Sequence, residues 1–233
     1  MAAKAKTEQS GIGDKINDLI QKHRKPLLIS LIGIIGVIII MVAVFSIRDS
    51  MITKAFTRAD EFDHRYSELK NRSPADQEAI TAWGIDLDFL VQELADFEKK
   101  NSGYAAARAY AVSAAIYEDQ KNWAQAENAW IEAAKAAAKT YFSPVAYFNA
   151  AVAAEEQGEN DRAIEWYTKA LEFGSQFPAA PRAQFSIGRI YESMGNKAAA
   201  IGAYQALVVL GSRDQLWVNL AHSRILVLSM GIL

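Results

Sequence analysis

Ala126, Ala163 and Ala200 stand 37 residues apart, and so do Trp130, Tyr167 and Tyr204, each four residues after its alanine. Ala133, Ala170 and Leu207 follow three residues later, and Ala114, Ala151 and Gly188 precede them in the same register. Tyr117, Ala154 and Tyr191 make a further column, Lys121, Gly158 and Gly195 another, and Pro144 and Pro181 open successive copies. Small and aromatic residues at three- and four-residue steps within a fixed period specify a helical hairpin repeated three times over residues 103–212. A single hairpin cannot bury its apolar face, so the copies must stack into an α-solenoid. The small residues of each first helix are expected to face those of the second, with the aromatics filling the space between hairpins. Glycine permits the left-handed backbone that ends a first helix, and proline suits the first turn of the next. The expected class is all-α: stacked hairpins with a single transmembrane helix ahead of them.

That transmembrane helix is read from residues 27–47, LLISLIGIIGVIIIMVAVFSI, which carry no charge and only two serines. At 1.5 Å per residue they match a hydrocarbon core of roughly 30 Å. Backbone groups in lipid must be satisfied internally, so a helix is the expected form. A cleaved signal peptide is the rival, but its apolar region is shorter and ends in small residues, whereas this one ends VFSIRDS. Lys22, Arg24 and Lys25 sit just before the span, with Lys4, Lys6 and Lys15 further back; just after it, Arg48 is offset by Asp49. Basic flanks stay cytoplasmic. Residues 1–26 are therefore expected in the cytoplasm and residues 48–233 across the membrane, which in a bacterium is the periplasm. There are no cysteines, so no disulfide, thiolate metal site or lipidated cysteine enters the reading.

Residues 48–102 are expected to form a helical stalk and an N-terminal helix pair. Ile52, Ala55, Phe56, Ala59, Phe62, Tyr66 and Leu69 make one apolar stripe, and Ile80, Trp83, Leu87, Leu90, Leu94 and Phe97 a second. Between them Ser73, Pro74 and Asp76 read as the start of a helix. Residues 213–233 are expected to form a capping helix. Asp214 would cap it, and Leu216, Trp217, Leu220 and Ala221 would cover the last repeat. After Arg224 no side chain is charged. Part of this helix is therefore expected to meet a partner, a second copy of the chain or the membrane surface.

Tyr110/Ala114/Tyr117, Tyr147/Ala151 and Ile187-Gly188/Tyr191 in the first helices, followed by small–aromatic–small in the second, resemble tetratricopeptide repeats. The period of 37 exceeds the family's 34 or so. Ala138, Ser175 and Ser212 stand where the closing proline is usual, and Leu207 replaces a small residue. The extra residues are assigned to the loops KTYFSP and SQFPAAP. Basic tail, single anchor, stalk and repeats together resemble the YfgM-like group of bacterial inner-membrane proteins. That resemblance implies an ancillary role at the Sec translocon. Its implied partners are translocon subunits and a membrane-anchored periplasmic chaperone of prolyl-isomerase type. The repeat class alone allows a different role, as a scaffold or assembly factor in a motor or secretion apparatus.

No HExxH, GxSxG or phosphate loop occurs, and His23, His64 and His222 are scattered. No enzymatic activity, cofactor or metal is expected, and a net charge of −2 gives no basis for a nucleic-acid partner. Binding of proteins is the expectation. In solenoids of this kind the first helices line the concave face, and the candidate peptide groove is Arg108, Phe148, Asn149, Glu155, Arg182, Phe185, Arg189 and Glu192. Glu118, Glu155 and Glu192 recur 37 apart, as do Phe148 and Phe185, giving a charged edge and an apolar floor. The alternative is that the glutamates only solvate the ends of the first helices. A clamp for a terminal carboxylate is matched at Asn149 and Arg182 but not at Ala111, Ala115 and Ser186, and is not expected.

Overall fold

The computed structural model describes residues 12–72, 77–209 and 215–231. Ser73, Pro74, Asp76, Ser212, Asp214, Lys4 and Lys6 lie outside the described residues. The chain divides into two compact units, residues 1–54 and 55–233, with helix α1 (Ile12–Asn71) contributing to both.

In the first unit α1 carries a non-helical residue, His23 (φ −113, ψ 16), close to Pro26. Pro26 has no N–H for the carbonyl of Lys22, and its ring crowds that turn, so the helix kinks there. Beyond it, the most apolar 18-residue window has a mean hydropathy of 3.2 and no buried residue. Ile29 and Ile40 are 71% and 65% exposed. This is the one described helix long and apolar enough to cross a membrane.

The second unit begins with the last four to five turns of α1 against α2 (Gln77–Lys100). Phe62, Tyr66 and Leu69 meet Leu87, Leu90 and Leu94, and both sets pack on Ala109, Val112 and Ile116 of α3 (Gly103–Asp119). Trp83 donates its indole N–H to the carbonyl of Leu69 at 2.8 Å. Ile80, expected on the same stripe, is 46% exposed. The stripe of α1 ends at Leu69, already opposite Trp83, which leaves no apolar partner for Ile80.

The three hairpins follow as α3 with α4 (Trp123–Ala136), α5 (Phe142–Glu156) with α6 (Asn160–Leu171), and α7 (Ala180–Ser193) with α8 (Lys197–Val209). α9 (Gln215–Met230) packs on α8 and α7. Ala114, Ala151, Ala126, Ala163 and Ala200 are all fully buried. Gly188 departs from the small-against-small expectation. A Cβ there would lie 2.5 Å from the ring of Tyr204, so the backbone of α7 carries an aromatic face where alanine was expected opposite. In the two inter-hairpin loops, a short turn leads into α5 with Pro144 in its first turn. A 3-10 turn (Gly174–Gln176) precedes α7, which has Pro181 at its start.

All three hairpin turns use the same backbone. Lys121, Gly158 and Gly195 have φ of 57°, 76° and 73°. Each donates to the carbonyl of the glutamate three residues back, at 2.9, 2.8 and 2.9 Å. Only Lys121 carries a Cβ in that left-handed region, which costs an L-residue about 1–2 kcal/mol. Lys121→Gly should therefore raise stability by about 0.5–1 kcal/mol once the greater freedom of glycine in the unfolded chain is deducted. Gly158→Ala should lower it by a similar amount. Urea midpoints of the two variants, moving in opposite directions, check this.

Candidate functional site

The recurring glutamates have a use that their spacing does not reveal. The aromatic of each second helix gives its polar hydrogen to the glutamate of its own first helix. Trp130 Nε1 donates to Glu118 at 2.7 Å, Tyr167 Oη to Glu155 at 2.6 Å, and Tyr204 Oη to Glu192 at 3.0 Å. Burial of an aromatic with a polar tip needs such a partner. Burial first, and then the bond to Glu155, push the Tyr167 hydroxyl above its ordinary pKa, and burial raises that of Tyr204. The aromatics therefore do more than fill the space between hairpins: each is tied inside its own hairpin while its ring reaches the next.

A second tie runs between neighbours. Arg189 of α7 pairs with Glu155 of α5, and Arg224 of α9 pairs with Glu192 of α7. Arg189 and Glu192, both placed in the candidate groove by sequence, thus belong to a ladder of carboxylate, guanidinium and aromatic that stitches successive first helices. Glu118 has the aromatic but no cation among the described residues.

Phe148 is only 7% exposed, packed against Tyr167 and Phe177, with the guanidinium of Arg182 5.0 Å above its ring. Phe185 is half-buried between Tyr204 and Trp217. Both rings are anchored in packing, so truncating them would strip the core as well as the face. Arg108 pairs with Asp60 and, at 3.6 Å, with Asp63, fastening α3 to α1.

Two hollows open beside the first helices. One, about 290 Å³, is bordered by Arg108, Ala111, Ala115 and Trp130. The other, about 380 Å³, draws residues from three successive hairpins: Glu118 and Trp123, then Phe148, Asn149 and Val152, then Arg182. Of the eight groove candidates, the larger hollow gathers Phe148, Asn149 and Arg182, and the smaller one takes Arg108. Glu155, Phe185, Arg189 and Glu192 fall outside both. Asp119 and Glu156 stand on the rim of the larger hollow. Asp119 is held below the usual carboxylate range, first by Lys70 and then by the Tyr66 hydroxyl, and stays charged.

Two further residues matter here: Glu127, which sequence reasoning did not single out, and Trp123, which it reads as core or inter-repeat packing. Glu127 of α4 is 5% exposed and accepts from Trp166 Nε1 at 2.9 Å and Gln157 Nε2 at 2.7 Å, with Arg162 at 3.2 Å. Trp123 walls the larger hollow. The available signal was their column: Glu127 stands where later copies carry Ile164 and Ile201, and Trp123 where they carry Asn160 and Lys197. Glu165 and Lys169, four residues apart on α6, form a surface ion pair at 3.0 Å.

Residues 112–201 match a family described only as a domain of unknown function, DUF6340. Over 129 residues the chain is 38% identical to a protein of Treponema pallidum (strain Nichols) described as a TPR repeat-containing protein. The match takes in 55% of this chain and 53% of that protein, so the chain spans about half the length of the curated relative. Together with the three hairpins, this places the repeats in the tetratricopeptide-like class, whose stacked units present surfaces to other proteins.

Proposed function

We propose that this chain is a membrane-anchored protein-binding module. Residues 27–47 cross the bacterial inner membrane, residues 1–26 stay cytoplasmic, and the repeats act in the periplasm. There they receive proteins at the Sec translocon beside a membrane-anchored chaperone. The observation that carries the reading is the combination on one polypeptide of an uncharged helical stretch with no buried residue and a hairpin stack with a hollow spanning three first helices. An apolar surface of that length needs lipid or protein around it, and the basic residues ahead of it set the orientation. Self-association through α9 belongs to the same proposal and rests on Leu226 and Met230, which are 60% and 64% exposed.

A photoreactive residue placed at Asn149 or Arg182 in living cells tests the reading. It should crosslink to translocon subunits and to the chaperone, and the same probe at Asn128 or Glu165 on the second helices should not. Capture of motor or secretion-apparatus components instead would replace the translocon role with a scaffold role. Equal crosslinking from all four positions would remove the hollow from the binding face.

A further inference from the structure

The ladder of carboxylate and guanidinium is complete at two levels and interrupted at the third. Glu155 is met by Arg189, 34 residues on, and Glu192 by Arg224, 32 residues on. The residues 34 and 32 after Glu118 are Val152 and Ala150, neither of which carries a charge. Among the described residues only one carboxylate oxygen of Glu118, Oε1, is engaged, by Trp130. The hollow of about 380 Å³ opens at this level, with Glu118 and Val152 both in its lining.

We propose that this hollow takes the side chain of an arginine from a partner polypeptide, which supplies from outside the guanidinium that the chain supplies to Glu155 and Glu192 from within. The inference rests on the reading of the first helices as a protein-binding face and names what that face selects. The surroundings fit a guanidinium and its aliphatic stem. Trp123 offers a ring found in neither later copy, Val152 an apolar wall for the methylenes, and Glu118 an acceptor already oriented by Trp130. The charge balance agrees. Asp119 is occupied by Lys70 at 2.7 Å, and Arg182 sits over the ring of Phe148. Glu118 and Glu156 make no ion pair among the described residues, so the hollow holds more unpaired negative than positive charge once Arg182 is counted against Glu156.

The test uses the full chain in lipid nanodiscs and fluorescein-labelled nine-residue peptides of alanine, leucine and glycine. The peptides differ only at the centre: arginine, its uncharged isostere citrulline, lysine or glutamate. Arginine should bind about tenfold more tightly than citrulline, the usual worth of a hydrogen bond to a charged group. Glu118→Gln keeps an acceptor for Trp130 and should erase the difference between arginine and citrulline while leaving the near-ultraviolet circular dichroism unchanged. Val152→Arg should complete the ladder internally, raising the thermal midpoint and abolishing arginine-peptide binding. Equal affinity for arginine and citrulline overturns the proposal. So does preference for glutamate that is lost in Arg182→Gln, which would make the hollow an acid-reading site, and so does the absence of any peptide binding. Crosslinks from positions 149 and 182 together with equal arginine and citrulline binding defeat this inference alone. Absence of those crosslinks defeats the reading beneath it.

Discussion

Gly188→Ala should destabilise the repeat domain by about 1–3 kcal/mol, the range for forcing an extra methyl into a packed core. Glycine inside a helix is ordinarily a weakness, and alanine in its place gains up to about 1 kcal/mol. Gly188 reverses that rule because its missing side chain is occupied. An added Cβ would lie 2.5, 2.7 and 2.9 Å from three atoms of the Tyr204 ring. The ring has nowhere to retreat: Tyr204 is 1% exposed, its hydroxyl is bonded to Glu192, and Phe185 packs against it with centroids 5.2 Å apart. Gly202, also within a helix, supplies the internal control, since nothing lies within 4 Å of its Cβ position. Gly202→Ala should stabilise by about 0.5–1 kcal/mol. Urea titrations of the two variants should move in opposite directions, and a destabilising Gly202→Ala or a neutral Gly188→Ala would refute the account.

Glu127→Ala should cost about 2–4 kcal/mol, because it leaves the half-buried Trp166 indole N–H without an acceptor and Arg162 without its carboxylate. Glu127 belongs to α4, Gln157 closes α5, and Trp166 and Arg162 lie on α6, so one carboxylate ties the first hairpin to both helices of the second. Arg162 is 45% exposed and can turn to water, which keeps the loss below that of a fully buried pair. Trp166 cannot turn away, since its ring stacks on Tyr147 at 6.0 Å and carries Lys169 on its other contact. Glu127→Gln keeps an acceptor and should lose less than half as much. Chemical denaturation followed by tryptophan fluorescence measures both, and equal losses from the two substitutions would show that charge, not hydrogen bonding, dominates the site.

Much of this architecture is legible in the chain because it is local or periodic. A left-handed turn residue is needed wherever a first helix folds back on a second. The column Lys121, Gly158 and Gly195 therefore marks three turns, even where the glycine is absent. The columns of alanine mark close helix contact because no larger side chain fits. The exposed Leu–Ile run of α1 is recognisable because no pattern of burial interrupts it. The candidate groove was legible only in outline. Spacing places Phe148 and Arg182 on first helices, and both border the larger hollow, but spacing does not say that Phe148 is sunk into the core beneath Arg182.

The amino-acid sequence by itself determines the class of this protein: all-α, three hairpins in a 37-residue register, and one helix long and apolar enough to cross a membrane. These follow from backbone geometry and from apolar patterning, which act over a few residues or repeat identically. Which charges meet is decided only by the tertiary structure. Glu118, Glu155 and Glu192 are equivalent in sequence, yet two are neutralised by an arginine two helices further along and one faces a hollow. The partner of each is set by how one hairpin seats on the next, at offsets of 34 and 32 residues that match no column of the repeat. Packing between hairpins is a sum of many weak contacts specific to each interface, and no repeat period encodes it.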